Sequence, residues 1–172
     1  WGYMALVFGA VHRQYAASDD ANLELAEFVA AAHDYDIEVW LDVVFNHTTE
    51  EDELGPIYNL RGLADEDYYV VREDGSYVDD AGCGNILDTH SAPARDLIML
   101  ALDRFADLGV DGFRFDLASV LARNPDFIRS IGDWGEHRRV RLIAEAWDVV
   151  NYQVGRAWPD PRWMQWNDRF RD

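Results

Sequence analysis

Three short apolar runs fix what this chain can fold into, because each carries polar residues at its end and helical periodicity separates one from the next. Ile37–Phe45 is β-branched and nearly continuous, and it stops at Asn46 and His47. Gly112–Ser119 holds Arg114 and Asp116, and Val140–Trp147 holds Glu145. Runs of this composition are strands covered on both faces, the mark of a parallel sheet. Before the first lies an amphipathic helix from Asp20 to about His33, with Leu23, Leu25, Ala26, Val29 and Ala30 at helical spacing and Ser18 to Asp20 as capping oxygens. Before the second lies a helix from Ser91 to Asp107, with Pro93 in its first turn and Gly109 at its stop. A shorter helix is expected from Pro125 to Ile131.

Alternating helices and strands imply an α/β fold with a parallel sheet. Polar residues gathered at strand C-termini mark the active-site face of a (β/α)₈ barrel. A doubly wound sheet also binds ligands there, but no Gly-x-Gly-x-x-Gly or phosphate-loop pattern follows any strand. The barrel is the expected fold. The opening Trp1–Gly9, apolar and punctuated by glycine, reads as the end of a buried strand running into a loop, with further chain expected before it. From Thr48 to Thr89 periodicity fails, and Gly55-Pro56, Gly62, Asp74-Gly75 and Gly82-Cys83-Gly84 mark turns. So long a connection is usually functional. Asp148 to Asp172 reads as a loop with five aromatic residues, Tyr152, Trp158, Trp163, Trp166 and Phe170, which serve as core more often than as sugar platforms.

Charge narrows the partners. All 15 basic residues are Arg, against 33 acidic ones, for a net charge of −18, which repels nucleic-acid phosphates and anionic membranes. Neutral or cationic ligands remain. The single cysteine, Cys83, rules out an internal disulfide and any multi-cysteine metal site. No apolar run is long enough to cross a bilayer and no signal-like segment is visible, so a cytoplasmic location is expected.

Side chains two apart on a strand point the same way, so Arg114 and Asp116 share a face. The cation favours an ionised Asp116, which suits a nucleophile or a metal ligand; a structural ion pair fits the octapeptide equally well. Asp116 and Glu145 lie on successive strands, with His47 and Arg114 in the same layer. Glycoside hydrolysis needs such a pair, one carboxylate ionised and attacking, the other protonated and feeding the leaving oxygen. The apolar neighbours of Glu145, Ile143, Ala144, Ala146 and Trp147, would raise its pKa by desolvation, although a strand-end carboxylate tied to an arginine is the alternative. His47, beside Asn46 and before the long loop, is a candidate ligand contact. Asp79, Asp80 and Asn85 could offer oxygens to calcium, but their spacing is not an EF-hand loop and a solvated acidic loop accounts for them as well. No cofactor and no metal are expected.

Asp42-Val-Val-Phe-Asn-His47, Gly112-Phe-Arg-Phe-Asp-Leu-Ala-Ser119 and Glu145-Ala-Trp-Asp148 resemble, in order, three sequence regions of the α-amylase superfamily. Trp1-Gly-Tyr-Met4, Glu53-Leu-Gly-Pro56 with Arg61-Gly62, Gly82-Cys-Gly-Asn85, Tyr152-Gln-Val-Gly155 and Trp166-Asn-Asp-Arg-Phe-Arg-Asp172 are similar to its isoamylase and glycogen-debranching branch. The resemblance implies that Asp116 is the nucleophile, Glu145 the general acid/base and Arg114 the partner of the nucleophile. It implies substrate contacts from Tyr3, His47 and Trp147, and structural support from Asp42 and Asn46. The implied reaction is retaining hydrolysis of α-1,6 branch linkages in glycogen or amylopectin. An α-1,4-acting amylase, a transglycosylase and a noncatalytic glucan-binding subunit are the alternatives.

On that footing the chain divides into a barrel segment at 1–47 (end of the second strand, helix, third strand), an excursion at 48–90, and a barrel segment at 91–172 (helix, fourth strand, helix, fifth strand and the following loop). The superfamily also uses a His-Asp pair after its seventh strand, which does not occur here. A complete barrel takes roughly 250 residues. The chain is therefore expected to be a piece of a catalytic domain, inactive and poorly folded alone because an unclosed sheet exposes its edges.

Overall fold

The computed structural model describes residues 2–156 and 158–171. Four strands, β1 (Trp40–Val43), β2 (Gly112–Phe115), β3 (Arg141–Ala144) and β4 (Met164–Gln165), pair in parallel and in chain order. Each strand lies beside its sequence neighbour, as in a barrel wall; a doubly wound sheet would reverse its order partway. Helix α1 (Ala21–His33) precedes β1, α2 (Leu60–Tyr68) and α3 (Ala92–Asp107) lie between β1 and β2, and the short α4 (Ala118–Leu121) and α5 (Pro125–Arg138) between β2 and β3. A final turn, α6 (Asp168–Arg171), follows β4.

Local chemistry places the helix ends. The Asp20 carboxylate accepts from the Leu23 amide at 3.0 Å to start α1, and the Asn124 amide oxygen accepts from Phe127 at 3.1 Å to start α5. The expected α5 stops at Ile131, but the helix runs on to Arg138. Gly132 and Gly135, which look like breakers, are there for close approach: a Cβ at 132 would lie 1.9 Å from the Asp160 carboxylate, and one at 135 would lie 2.9 Å from Leu142. The core joins Phe113 and Phe115 from the sheet and Phe45 just past β1 to Ile98 and Leu102 of α3 and to Phe127, Ile128 and Ile131 of α5.

Two expectations fail at the ends of the chain. No strand occurs over residues 2–12; Trp1 lies outside the described residues. Gly2 and Gly9 turn the chain with positive φ, and the backbone bonds to the excursion instead of to β1: the Ala5 carbonyl accepts from Thr49 and the Leu6 carbonyl from the Asn59 side chain. The tail is not all loop, because Met164 and Gln165 pair with Ile143 and Ala144. A two-residue strand carries no readable periodicity. The excursion likewise holds α2 and two antiparallel bridges, Tyr69 with Leu87 and Val71 with Tyr77.

Candidate active site

Strand register assembles the site. Asp42 stands opposite Arg114, Arg114 opposite Ile143, and Ile143 opposite Met164. Alternation extends that face to Asp116, Glu145 and Trp166. Gly112 belongs to the same row: a Cβ there would lie 2.4 Å from the Trp40 indole, so the bare backbone gives Trp40 its place across β2.

Arg114 is the centre. Its Nη1 donates to Asp42 Oδ1 at 2.8 Å and to Asp116 Oδ1 at 2.9 Å, and its Nη2 lies 2.9 Å from Glu145 Oε1. The side chains of Arg114, Asp116 and Glu145 are only 15%, 14% and 12% exposed. Burial disfavours the arginine charge, but the contacts with Asp42, Glu145 and Asp116 outweigh it and hold the guanidinium protonated. One cation thus faces three carboxylates. Burial raises the pKa of Glu145 above the ordinary carboxylate value, against the Leu117 amide and the Arg114 charge, and the Asp116 carboxylate nearby raises it further. The arginine contact weighed in the sequence therefore exists, and Glu145 is still pushed toward the acid form.

Leu117 shows how the turn after Asp116 serves the site. It adopts a left-handed conformation, φ 40° and ψ 48°, uncommon for a branched residue. Its amide thereby donates to Glu145 Oε2 at 2.9 Å, while the Ala118 amide donates to the Glu145 carbonyl at 2.9 Å. No residue type signals this turn in the sequence.

Asn46 links Asp116 to His47. Its side-chain nitrogen donates to the Asp116 carbonyl at 2.8 Å and to Oδ2 at 3.0 Å, which turns its own oxygen toward His47 Nδ1. That oxygen can only accept, so Nδ1 carries the hydrogen. Burial lowers the His47 pKa in spite of the Asp116 charge, and the ring is neutral at pH 7 with Nε2 unpaired among the described residues. Tyr3 donates its hydroxyl to Asp42 Oδ2 at 2.6 Å, which joins the irregular first segment to the cluster. A cleft of about 1030 Å³ opens beside Tyr3 but is otherwise lined by that segment, Met4, Leu6, Val7, His12 and Tyr15 among others, and holds none of the carboxylates.

Seven of the eight expected residues thus form one connected set: Asp116, Glu145, Arg114, Asp42, Asn46, His47 and Tyr3. Trp147 does not join it by contact. It stacks on Tyr152, ring centroids 6.3 Å apart, and lines a cleft of about 300 Å³ with Asp148, Asn151 and Asp168. The calcium candidates are committed elsewhere: Asp79 to the Cys83 and Gly84 amides, Asp80 to Arg123, and Asn85 to the backbone of Thr48 and Glu51. No cluster of three or more His, Cys, Asp or Glu suited to a metal ion occurs among the described residues.

Sequence reasoning overlooked two residues. Trp166 lies over the Arg114 guanidinium, 5.3 Å from ring centre to Cζ. Glu50, wholly buried, accepts from the amides of Tyr58 at 2.6 Å, Asn59 at 2.8 Å and Arg61 at 3.1 Å, and from the Tyr69 hydroxyl at 2.6 Å. Arg61 completes this knot through the carbonyls of Glu50, Asp52, Glu53 and Gly55, which gives the Glu53–Pro56 and Arg61 motifs a physical purpose.

A parallel barrel-type wall with two carboxylates and an arginine on adjacent strand ends defines the class: part of an α-amylase-type catalytic fold. No protein-family model matches the chain. A curated glycogen debranching enzyme of Dickeya chrysanthemi is 44% identical over 181 aligned positions, covering all of this chain and 27% of the relative. The pullulanase type I of Bacillus subtilis, solved with maltose, superposes with a TM-score of 0.85 at 27% identity over all of this chain and 25% of its own. A pullulanase of Anoxybacillus sp. LM18-11, solved with maltotetraose, gives 0.73 at 27% identity over 96% of this chain and 26% of its own. The chain belongs to the glycogen-debranching branch of the α-amylase superfamily, and it spans about a quarter of the length of the relatives it matches. No helix among the described residues is long and apolar enough to cross a membrane.

Proposed function

We propose that this chain is the central wall of the catalytic barrel of a retaining glycoside hydrolase that cleaves α-1,6 branch linkages in glycogen- or amylopectin-type glucans. In that reading β1 to β3 are the third to fifth barrel strands, β4 adds a sixth where the sequence suggests only a loop, and residues 48–90 are the excursion after the third. The observation that carries the proposal is the Arg114 hub, which bonds Asp116 and Glu145 side by side at adjacent strand ends, with burial raising the proton affinity of Glu145. The similarity to a glycogen debranching enzyme supports the branched substrate.

Asp116 attacks the anomeric carbon while Glu145 gives its proton to the departing C6 oxygen. The resulting glycosyl-enzyme is opened by a water that Glu145 deprotonates. The Leu117 amide and Arg114 hold the two oxygens of the Glu145 carboxyl in place beside Asp116. Tyr3 and Trp147 offer rings to glucose faces. The segment works within a longer protein that supplies the rest of the barrel.

Purified full-length enzyme assayed on pullulan, glycogen and linear amylose tests this reading. Release of linear chains from the branched substrates, lost in Asp116→Asn, is expected. Faster cleavage of amylose than of pullulan would point instead to an α-1,4 enzyme.

A further inference from the structure

We propose that Trp166 is a positioning residue for the reaction, clamping the Arg114 guanidinium in the plane from which it serves Asp116 and Glu145. The inference rests on the catalytic reading above. Asp42, Asp116 and Glu145 meet the terminal nitrogens Nη1 and Nη2, and hydrogen bonds of this kind lie in the plane of the guanidinium fork. They restrain tilting about the fork only weakly. The buried Nε has no partner among the described residues, so no bond seen there holds the base of the fork. The Trp166 ring lies over the guanidinium, and the face of an indole attracts a cation placed over it.

The ring is itself held. The Trp166 amide donates to the Ala144 carbonyl at 2.8 Å, which carries the β4 pairing one residue further. Three residues earlier Trp163 packs into the core against Phe115, ring centroids 4.6 Å apart. Just before it Arg162 bridges buried Asp160 and the α5 carboxylates of Asp133 and Glu136 at 2.6, 2.7 and 3.0 Å. The tail is thus pinned to α5 and to the sheet on either side of β4. Trp166 is 43% exposed, so it is not a core residue that happens to lie near the site.

In the full-length enzyme, Trp166→Leu is expected to lower kcat on pullulan about tenfold with KM changed less than about twofold, and Trp166→Phe, which keeps a ring face, to recover most of it. Trp166→Met takes the place of Leu if that variant does not fold, with the same expected loss. A raised KM at unchanged kcat would make Trp166 a sugar platform and overturn the proposal, as would unchanged kinetics. The crystal structure of the variant reads the proposal without turnover: a guanidinium tilted away from Asp116 or Glu145 supports it, and one that has not moved overturns it. An inactive wild-type enzyme would count against the hydrolase reading and leave this crystallographic test in force.

Discussion

Glu145 and Glu50 are both withdrawn from water, yet their proton affinities move in opposite directions. At Glu145 burial is opposed by one backbone amide and a guanidinium shared with two other carboxylates, and the pKa rises. At Glu50 burial is opposed by three backbone amides and a tyrosine hydroxyl, and the pKa falls. At Glu50 the aimed hydrogens outweigh burial; at Glu145 they do not, and the neighbouring Asp116 charge adds to burial. A carboxylate surrounded by donors is structural; one left short of them is inclined toward the acid form.

Substitutions can break this comparison at either site. Asp116→Asn, which removes the proposed nucleophile and keeps its shape, should lower turnover by about 10⁴-fold or more, measured on pullulan with folding checked by circular dichroism. Glu145→Gln should cost about 10²- to 10⁴-fold and abolish the alkaline limb of the pH profile. The sign follows from the raised pKa: Glu145 is protonated below its folded-state value, so the wild type loses activity as pH rises through that value. If the alkaline limb survives in Glu145→Gln, another group is the acid.

Glu50→Gln should leave chemistry nearly intact but destabilise the excursion by about 3 kcal/mol, because a neutral amide replaces an ionised acceptor facing four donors. Limited proteolysis between 48 and 90 measures it. The lowered pKa gives the opposite pH dependence. The Glu50 contribution is complete above its ordinary value of 4.5 and is lost as pH falls through the lower folded value, so wild-type excursion cleavage should begin only in acid. The smallest effect belongs to Asp42→Asn. That side chain is 43% exposed, and a few-fold rise in KM through a loosened Tyr3 is the expected result.

The same contrast separates what was legible in the sequence from what was not. Arg114, Asp116 and Glu145 could be found because alternation along a strand fixes the face, and polar residues at strand ends stand out against apolar runs. Glu50 was overlooked because its donors are mostly backbone amides, which carry no residue identity. The same holds for Leu117, whose amide reaches Glu145 only through a left-handed turn. Trp166 was placed in a loop because β4 is two residues long, and α5 was cut short because Gly132 and Gly135 serve packing instead of termination. The opening segment was misread because its apolar residues, Met4, Leu6 and Val7, are exposed and not aligned on a sheet.

Gly112 and Trp40 carry a consequence for how this wall can change. The indole occupies the space in which any side chain at 112 would begin, 2.4 Å from the first carbon. Position 112 cannot vary alone: alanine there demands a smaller residue at 40. Both lie on the row that ends in Asp42, Arg114 and Asp116. The cost of altering 112 singly falls on the register that brings the arginine to its carboxylates.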